Sequence, residues 1–253
     1  LETQRLVRES VRRERMEREM ELAHDLQLKL LPDAARFAPG TRLAARCVPA
    51  DSVGGDLYHL FELPGGRLGV VIADVSSHGF SAALIMALTM SAIAISAQEA
   101  GGPGEALRRV HESLIDELES TEMYLTILFA VVEPGRRICW ANAGHPHGFV
   151  VRGDGSTDRL EATSPPLGTY TFPDYGERST DWANGDLLFL FTDGLSDTFS
   201  GRSGLAGERT LLDEVVGLRD REPRAILDHV FDVAVTRRPE VPADDRTAVL
   251  LRS

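Results

Sequence analysis

The sequence predicts an α+β fold: a four-layer α-β-β-α sandwich of two mainly antiparallel sheets flanked by helices, preceded by an N-terminal linker helix. Strand-like segments occur in two groups, with two helical segments between the groups. Tight turns join many of the strands, and two more helical segments come near the end of the chain. Strands joined by tight turns pair as antiparallel neighbours, and helices then cover the outer faces of the sheets.

The first 31 residues form a separate helical region. Residues 2–31 contain no Gly or Pro, and Pro32 ends the run, because Pro cannot continue a helix. Five residues recur at spacings of 4, 3, 4 and 3, as in a short coiled-coil seam: Met16, Met20, Ala23, Gln27 and Leu30. Gln27 is the one polar residue of this seam. We expect either a homodimer through this helix or a helix folded on its own domain. Its abrupt, charged start predicts that a longer protein continues upstream.

The remaining elements follow from hydrophobic periodicity and turn chemistry. Pro64-Gly65-Gly66 is a hairpin turn, and Asn184-Gly185 joins two later strands. The predicted strands are 41–48, 56–63, 67–75, 123–132, 136–142, 148–152, 176–182, 186–191 and 246–252. The predicted helices are 80–98, 105–119, 208–218 and 223–236. The sequence thus divides into a linker at 1–31 and one folded domain at 40–253.

Composition excludes some classes of partner. The 253 residues carry 27 basic and 39 acidic side chains, a net charge of −12, whereas nucleic acids select basic surfaces. The acid excess serves either surface solubility or cation binding. The two isolated cysteines, Cys47 and Cys139, form neither a disulfide framework nor a zinc site, which predicts a cytoplasmic protein.

Residues 80–98 are uncharged and long enough to cross a membrane. The segment is rich in Ala, Ser and Thr, and neither flank carries the Lys/Arg cluster that orients a spanning helix. We therefore expect a core helix packed on a sheet, without membrane insertion.

Aspartates beside small residues mark four predicted strand ends, at Asp56, Asp74, Asp193 and the pair Asp244-Asp245. Asp74 follows the apolar run LGVVIA, and the run LLFLF ends two residues before Asp193. Such runs are typical of buried strands, so they deliver a carboxylate to the rim of the core, where a charge is costly unless neutralised. Any one Asp-Gly pair alone is more often an ordinary turn. Four together indicate a site for a hard divalent cation.

Six short motifs occur in the order of a known family: GGDLYH (54–59), ADVSSHG (73–79), NAGHP (142–146), PPLG (165–168), FTDGLSD (191–197) and DDRT (244–247). They resemble the PPM-type, type 2C-like protein serine/threonine phosphatases, in the bacterial SpoIIE/RsbU branch. LAHDLQLKLLP (22–32) is similar to the helix that links this branch to upstream sensor domains. The resemblance covers nearly the whole chain.

The resemblance implies two Mn²⁺ or Mg²⁺ ions and five ligands: Asp56, Asp74, the Val75 carbonyl, Asp193 and Asp244. Asp74 would bridge the ions, and Asp56 would act directly or through water. Asp245 suits the role less well than Asp244. Water activated by the ions, rather than a side chain, would attack phosphorus. The implied substrate is phosphoserine or phosphothreonine of a partner protein, an anti-sigma-factor antagonist.

The roles of several other residues are less specific. His145 either orients the substrate or stabilises its own loop, and we expect His78 and His147 to be structural or surface residues. The family pattern has Asp where His59 stands, an aromatic residue at Leu57 and Gly at Ser77. Loss of the carboxylate at 59 would weaken one metal, and Ser77 would be strained if its φ were positive. Two alternatives remain: a catalytically weak regulatory binding module of the same fold, and a hydrolase of small phosphoesters.

Overall fold

The computed structural model describes residues 2–37, 42–77, 79–146, 148–170, 174–200, 205–238 and 244–253. Its helices are α1 (Glu2–Leu30), α2 (Phe80–Glu99), α3 (Pro103–Thr121), α4 (Asp193–Phe199), α5 (Leu205–Gly217) and α6 (Pro223–Arg237). Its strands are β1 (Arg42–Val48), β2 (Leu57–Leu63), β3 (Arg67–Val75), β4 (Leu125–Glu133), β5 (Arg137–Ala143), β6 (Gly148–Val151), β7 (Thr157–Arg159), β8 (Arg178–Asp181), β9 (Leu187–Phe191) and β10 (Arg246–Arg252).

Two five-stranded sheets form the centre of the molecule. The first sheet has the order β1-β10-β9-β6-β7 and the second β2-β3-β4-β5-β8. Neighbouring strands pair antiparallel in both. One apolar core lies between the sheets, a second joins the second sheet to α2 and α3, and a third joins the first sheet to α4, α5 and α6. The predicted four-layer sandwich is confirmed.

The continuous apolar runs of the sequence become strands buried on both faces. All five residues of β9 are buried, as are seven of the nine in β3. Each strand has the other sheet on one side and helices on the other, so both sets of alternating side chains must be apolar. These central strands end beside Asp74 and Asp193, which places both carboxylates at the margin of the sandwich.

One inference about connectivity was wrong, and the sequence analysis missed two elements. The turn at Asn184-Gly185 does not make a hairpin, because β8 pairs with β5 whereas β9 pairs with β6 and β10. The chain likewise changes sheets between β5 and β6. The sequence also missed β7, whose three residues are all exposed, and α4, a single short helix after β9. The predicted start of the first strand at Thr41 and of the folded domain at residue 40 lies outside the described residues. The same holds for the roles of His78 and His147.

Helix α2 packs on the second sheet, as predicted, but buries one face only. Ala82, Ile85, Met86 and Ile93 enter the core. Its opposite face is also apolar and is exposed, at Phe80, Leu84, Leu88 and Ile95. Within the described part of the chain, α2 is the one helix whose length and apolarity match a membrane span, and 44% of that window is buried.

The end of α1 lies against its own domain, which is one of the two arrangements expected for it. Gln27 is only 7% exposed, and Met20 and Ala23 are half-buried. The outer members of the predicted seam, Met16 and Leu30, are exposed. The seam therefore does not form one continuous face for a partner helix, since its middle contacts the chain's own loops.

Candidate metal centre

Strand pairing in the second sheet brings Asp56 and Asp74 together. The register pairs Leu57 with Ala73, so the next step of the ladder sets Asp56 opposite Asp74. Asp56 is 4% exposed. Two residues far apart in the sequence thus become neighbours through an ordinary antiparallel hairpin.

The first sheet supplies the other acidic residues. Asp193 is the first residue of α4, just after β9, and Asp244-Asp245 precede β10. Strand pairing continues past β9, since the Thr192 amide donates to the carbonyl of Thr247 at 3.0 Å. The carboxylates therefore come from the same end of two adjacent strands.

Thr192 connects the two sheets at this end. Its hydroxyl donates to Oδ2 of Asp56 at 2.7 Å and accepts the amide of Thr247 at 3.0 Å. Thr192 is 1% exposed. The sequence analysis missed Thr192; its signal is a hydroxyl directly after a buried strand and directly before a candidate ligand.

The side chain of Asp245 is engaged in hydrogen bonds to backbone amides. Its carboxylate accepts amides from Ala50 at 2.8 Å, Gly55 at 2.7 Å and Asp56 at 3.3 Å. Glycine is required beside it: a Cβ on Gly54 would lie 2.0 Å from Oδ2 of Asp245, and one on Gly194 would lie 2.1 Å from its carbonyl oxygen. These contacts engage the Asp245 carboxylate with backbone amides, and the choice of Asp244 as the ligand of the pair stays a prediction.

Burial and neighbouring carboxylates raise the pKa of three of these acidic residues. Burial, followed by the charges of Asp193, Asp244 and Asp245, raises the pKa of Asp74 to about 8. Burial, then Asp74, then Asp245 raise the pKa of Asp56 well above its ordinary range. Burial also raises the pKa of Asp244. Within the described residues, no Arg, Lys or His forms an ion pair with any of them.

The cluster fits a divalent cation by charge and donor chemistry, since Mg²⁺ and Mn²⁺ prefer oxygen ligands. The side chains are not yet close enough to coordinate one ion together: no three His, Cys, Asp or Glu side chains of the described residues are arranged to hold an ion. The Val75 carbonyl accepts the Ser77 amide at 2.6 Å. The five ligands proposed from the sequence therefore remain a prediction, although four of them carry carboxylates at one end of the sandwich.

His145 lies inside the sandwich, not on its surface. It is 1% exposed, its Nδ1 is 3.1 Å from the hydroxyl of Thr126, and its Nε2 is 3.1 Å from the carbonyl of Phe191. Thr126 pairs with Asp74 across β3 and β4. Because both ring nitrogens contact protein groups, the geometry favours the structural role of His145, joining the two sheets beside the cluster, over contact with a substrate.

The structure shows the surroundings of the residues that depart from the family pattern. Ser77 does not have a positive φ; among described residues other than glycine only Glu122 does, and Gly79 adopts φ 81° instead. The expected strain at Ser77 is therefore absent. His59 packs edge to face on Phe61 at 5.3 Å, and burial lowers its pKa. Its neighbours on the same face of β2, Leu57 and Phe61, belong to the core under α2 and α3.

Neither cysteine is suited to nucleophilic chemistry. Both thiols are free. Burial, assisted by the charge of Asp56, raises the pKa of Cys47, and burial together with Glu177 raises that of Cys139 to about 11. A neutral thiol is a poor nucleophile, so neither cysteine is a candidate for covalent catalysis.

This two-sheet sandwich is the fold of PP2C-type phosphatase domains. The SiaA-PP2C domain of Pseudomonas aeruginosa matches it with a TM-score of 0.84 and 20% identity, over 95% of this chain and 98% of that one. The catalytic domain of the serine/threonine protein phosphatase PstP, in complex with two manganese ions, matches with a TM-score of 0.62 and 19% identity, over 84% and 97%. At these identities the likeness is one of fold.

The family is shown by the sequence. The family model for Stage II sporulation protein E (SpoIIE) matches residues 64–253, and the chain belongs to this family. The phosphoserine phosphatase RsbP of Bacillus subtilis is 28% identical over 184 residues, covering 71% of this chain and 45% of RsbP. The chain thus spans less than half the length of that relative. The predicted family and fold are confirmed.

Proposed function

We propose that this chain is the catalytic domain of a metal-dependent phosphatase that removes phosphate from phosphoserine or phosphothreonine in a partner protein. The observation that carries the proposal is the gathering of Asp56, Asp74, Asp193 and Asp244 from both sheets at one end of the sandwich. Burial and the neighbouring carboxylates raise the pKa values of Asp56, Asp74 and Asp244, so their ionised forms need a cation to offset their charge. Family membership and the name of RsbP support the same activity.

Two Mn²⁺ or Mg²⁺ ions are the proposed cofactors, and the two manganese ions of PstP support this choice. Asp56, Asp74, the Val75 carbonyl, Asp193 and Asp244 would hold them. Such ions supply the acidity that makes water nucleophilic at neutral pH and offset charge on the phosphoryl oxygens.

The chain's own residues keep the carboxylates in place. Thr192 fixes the Asp56 carboxylate through a 2.7 Å hydrogen bond. Asp245 fixes the backbone that carries Asp56. Preorganisation of this kind is needed because the carboxylates repel one another until a cation is bound.

The experiment is phosphate release from an aryl phosphate and from a phosphopeptide, with and without Mn²⁺. We expect Mn²⁺-dependent turnover that Asp74→Asn and Asp193→Asn abolish. Asp116→Asn, the same exchange at an exposed position of α3, is the matched control and should retain activity. Undiminished turnover in excess chelator would overturn the proposal. Faster turnover of nucleotides than of phosphoprotein would favour the small-phosphoester alternative.

The natural setting is proposed from the family resemblance. The substrate would be a phosphorylated anti-sigma-factor antagonist in the bacterial cytoplasm, with a sensor domain upstream of α1. The exposed Leu22, Leu26 and Leu30 lie at helical spacing on α1 and support a homodimer through this helix. Sedimentation of the whole chain at its monomer mass, like that of a fragment starting at Pro32 at its own monomer mass, would contradict the dimer.

A catalytically weak binding module is the second candidate. It is favoured by His59, which stands where the family pattern has a carboxylate. Calorimetry separates the two candidates. An enzyme takes up Mn²⁺, whereas a binding module would bind the phosphorylated partner and show no Mn²⁺ uptake.

A further inference from the structure

The end of α1 contacts the loop that carries Asp56. The side-chain amide of Gln27 donates from Nε2 to the carbonyl of Gly54 at 2.6 Å, and its Oε1 accepts the amide of Gly54 at 3.0 Å. One turn earlier, Nδ1 of His24 lies 2.6 Å from the carbonyl of Ser52. A single buried side chain thus satisfies both backbone groups of one glycine.

The same loop is held from its other side by Asp245. Oδ2 of Asp245 accepts the amides of Gly55 and Asp56. The amides of three successive residues are therefore all bound, Gly54 by α1 and the next two by the segment before β10. Gly54 has no space for a Cβ on the side of Asp245, so the loop is enclosed between the two elements.

This enclosure matters because the loop is intrinsically loose. Gly54 and Gly55 have more backbone freedom to lose on folding than any other residue type. Their conformation must be imposed by contacts from outside the loop. Gln27 is buried, and a buried carboxamide with both of its groups paired holds one geometry, because breaking either hydrogen bond leaves unsatisfied polar atoms.

We propose that Gln27 is a positioning residue for the carboxylate cluster: its carboxamide fixes Gly54 and thereby sets where the Asp56 carboxylate lies. It touches neither metal nor substrate and acts through the backbone of 54–56. The effect on metal binding rests on the proposed function, whereas the effect on the loop does not.

The test compares Gln27→Met with Gln98→Met. Methionine keeps the length and helix propensity of glutamine but removes both hydrogen bonds. Gln98 is exposed on α2, so it provides the same exchange without the contact. Amide hydrogen exchange of 51–56 in metal-free protein should be about tenfold faster or more in Gln27→Met and unchanged in the control, as expected for the loss of two hydrogen bonds.

A second readout is Mn²⁺ affinity by calorimetry, which should fall about tenfold in Gln27→Met. In turnover assays the Mn²⁺ concentration for half-maximal activity should rise, while kcat at saturating Mn²⁺ stays near that of the wild type. Gln27→Glu keeps an acceptor for the Gly54 amide but loses the donor, so its effects should fall between those of the wild type and Gln27→Met.

Unchanged exchange at 51–56 in Gln27→Met would overturn the proposal. Protection lost equally over the whole domain in both Gln27 variants would also overturn it, because Gln27 would then serve folding in general. If the loop loosens as expected but the wild type takes up no Mn²⁺, the positioning role stands and the proposed phosphatase function fails.

Discussion

The hydroxyl of Thr192 and the carboxylate of Asp56 are joined by a 2.7 Å hydrogen bond across 136 residues of sequence. The bond connects an acidic residue next to the second sheet with the end of a central strand of the first. It therefore makes the separation of the two halves of the candidate site depend on the packing of the two sheets.

Removing this bond tests how firmly the site is preorganised. Thr192→Val keeps the shape of the side chain but leaves the Asp56 carboxylate and the Thr247 amide without their shared partner. We expect a loss of about 1–3 kcal/mol in the free energy of unfolding and weaker Mn²⁺ binding. Urea unfolding and calorimetry measure the two effects.

The control for this variant is Thr192→Ser, which retains the hydroxyl. It should recover most of the Mn²⁺ affinity that the valine variant loses. Full affinity and stability in Thr192→Val would show that the hydrogen bond does not position Asp56.

Asp244 and Asp245 are adjacent, yet we expect their amide variants to behave differently. Asp245 accepts three backbone amides, so Asp245→Asn should lose about 1–3 kcal/mol of stability and bind Mn²⁺ more weakly. Asp244 accepts only the Asp245 amide among the described hydrogen bonds, and asparagine retains an acceptor. Asp244→Asn should therefore keep its stability and lose Mn²⁺ uptake.

Thermal unfolding and Mn²⁺ calorimetry on the two variants decide the assignment. The reverse result, with Mn²⁺ uptake lost and stability kept in Asp245→Asn but not in Asp244→Asn, would exchange the two roles.

The raised pKa of Asp74 predicts how the stability of the metal-free protein depends on pH. Folding raises this pKa from 3.8 to about 8, so between these values the folded state holds a proton that the unfolded state has released. The stabilising contribution is complete below about pH 4 and is lost as the pH rises through 8, by up to about 1.4 kcal/mol per pH unit. Denaturant unfolding at pH 5, 7 and 8 measures this slope.

Asp74→Asn removes the titrating group and should flatten the dependence of stability on pH. The metal-free variant should therefore be more stable than the metal-free wild type at pH 8. Saturating Mn²⁺ should restore the stability of the wild type at pH 8 but not that of the variant. An equally steep slope in Asp74→Asn would assign the pH dependence to other groups.

A second ionic cluster lies at the opposite end of β9 and should serve stability only. Arg152 contacts Asp186 at 2.7 Å and Asp158 at 2.6 Å, and the Asp186 side chain is 4% exposed. Arg152→Met leaves a buried carboxylate without its cation, so we expect a loss of about 3 kcal/mol in urea unfolding. Mn²⁺ affinity should not change.

Arg178→Met is the control, because Arg178 and Glu161 form a pair with both side chains more than half exposed. Its loss should cost less than about 1 kcal/mol. Equal effects of the two variants would contradict the importance of burial at Arg152.

Local pattern predicted much of the fold. The bounds of β3 and β10 were predicted to the residue, and α2, α3 and α6 were predicted within two residues at each end. These segments carry strong periodicity or uninterrupted apolar runs. The acidic residues of the site were found in the same way, because a carboxylate close to a buried strand end is visible in the sequence itself.

The sequence alone determined most of the strands and helices, though not β7 or α4, and which carboxylates lie at strand ends. It could do so because burial and backbone preference set the pattern of neighbouring residues. Only the tertiary structure decided that β8 and β9 belong to different sheets, that Thr192 binds Asp56, and that Gln27 holds Gly54. These relationships depend on the packing of distant segments against one another. A hydrogen bond between such segments produces no periodic pattern in the sequence of either one.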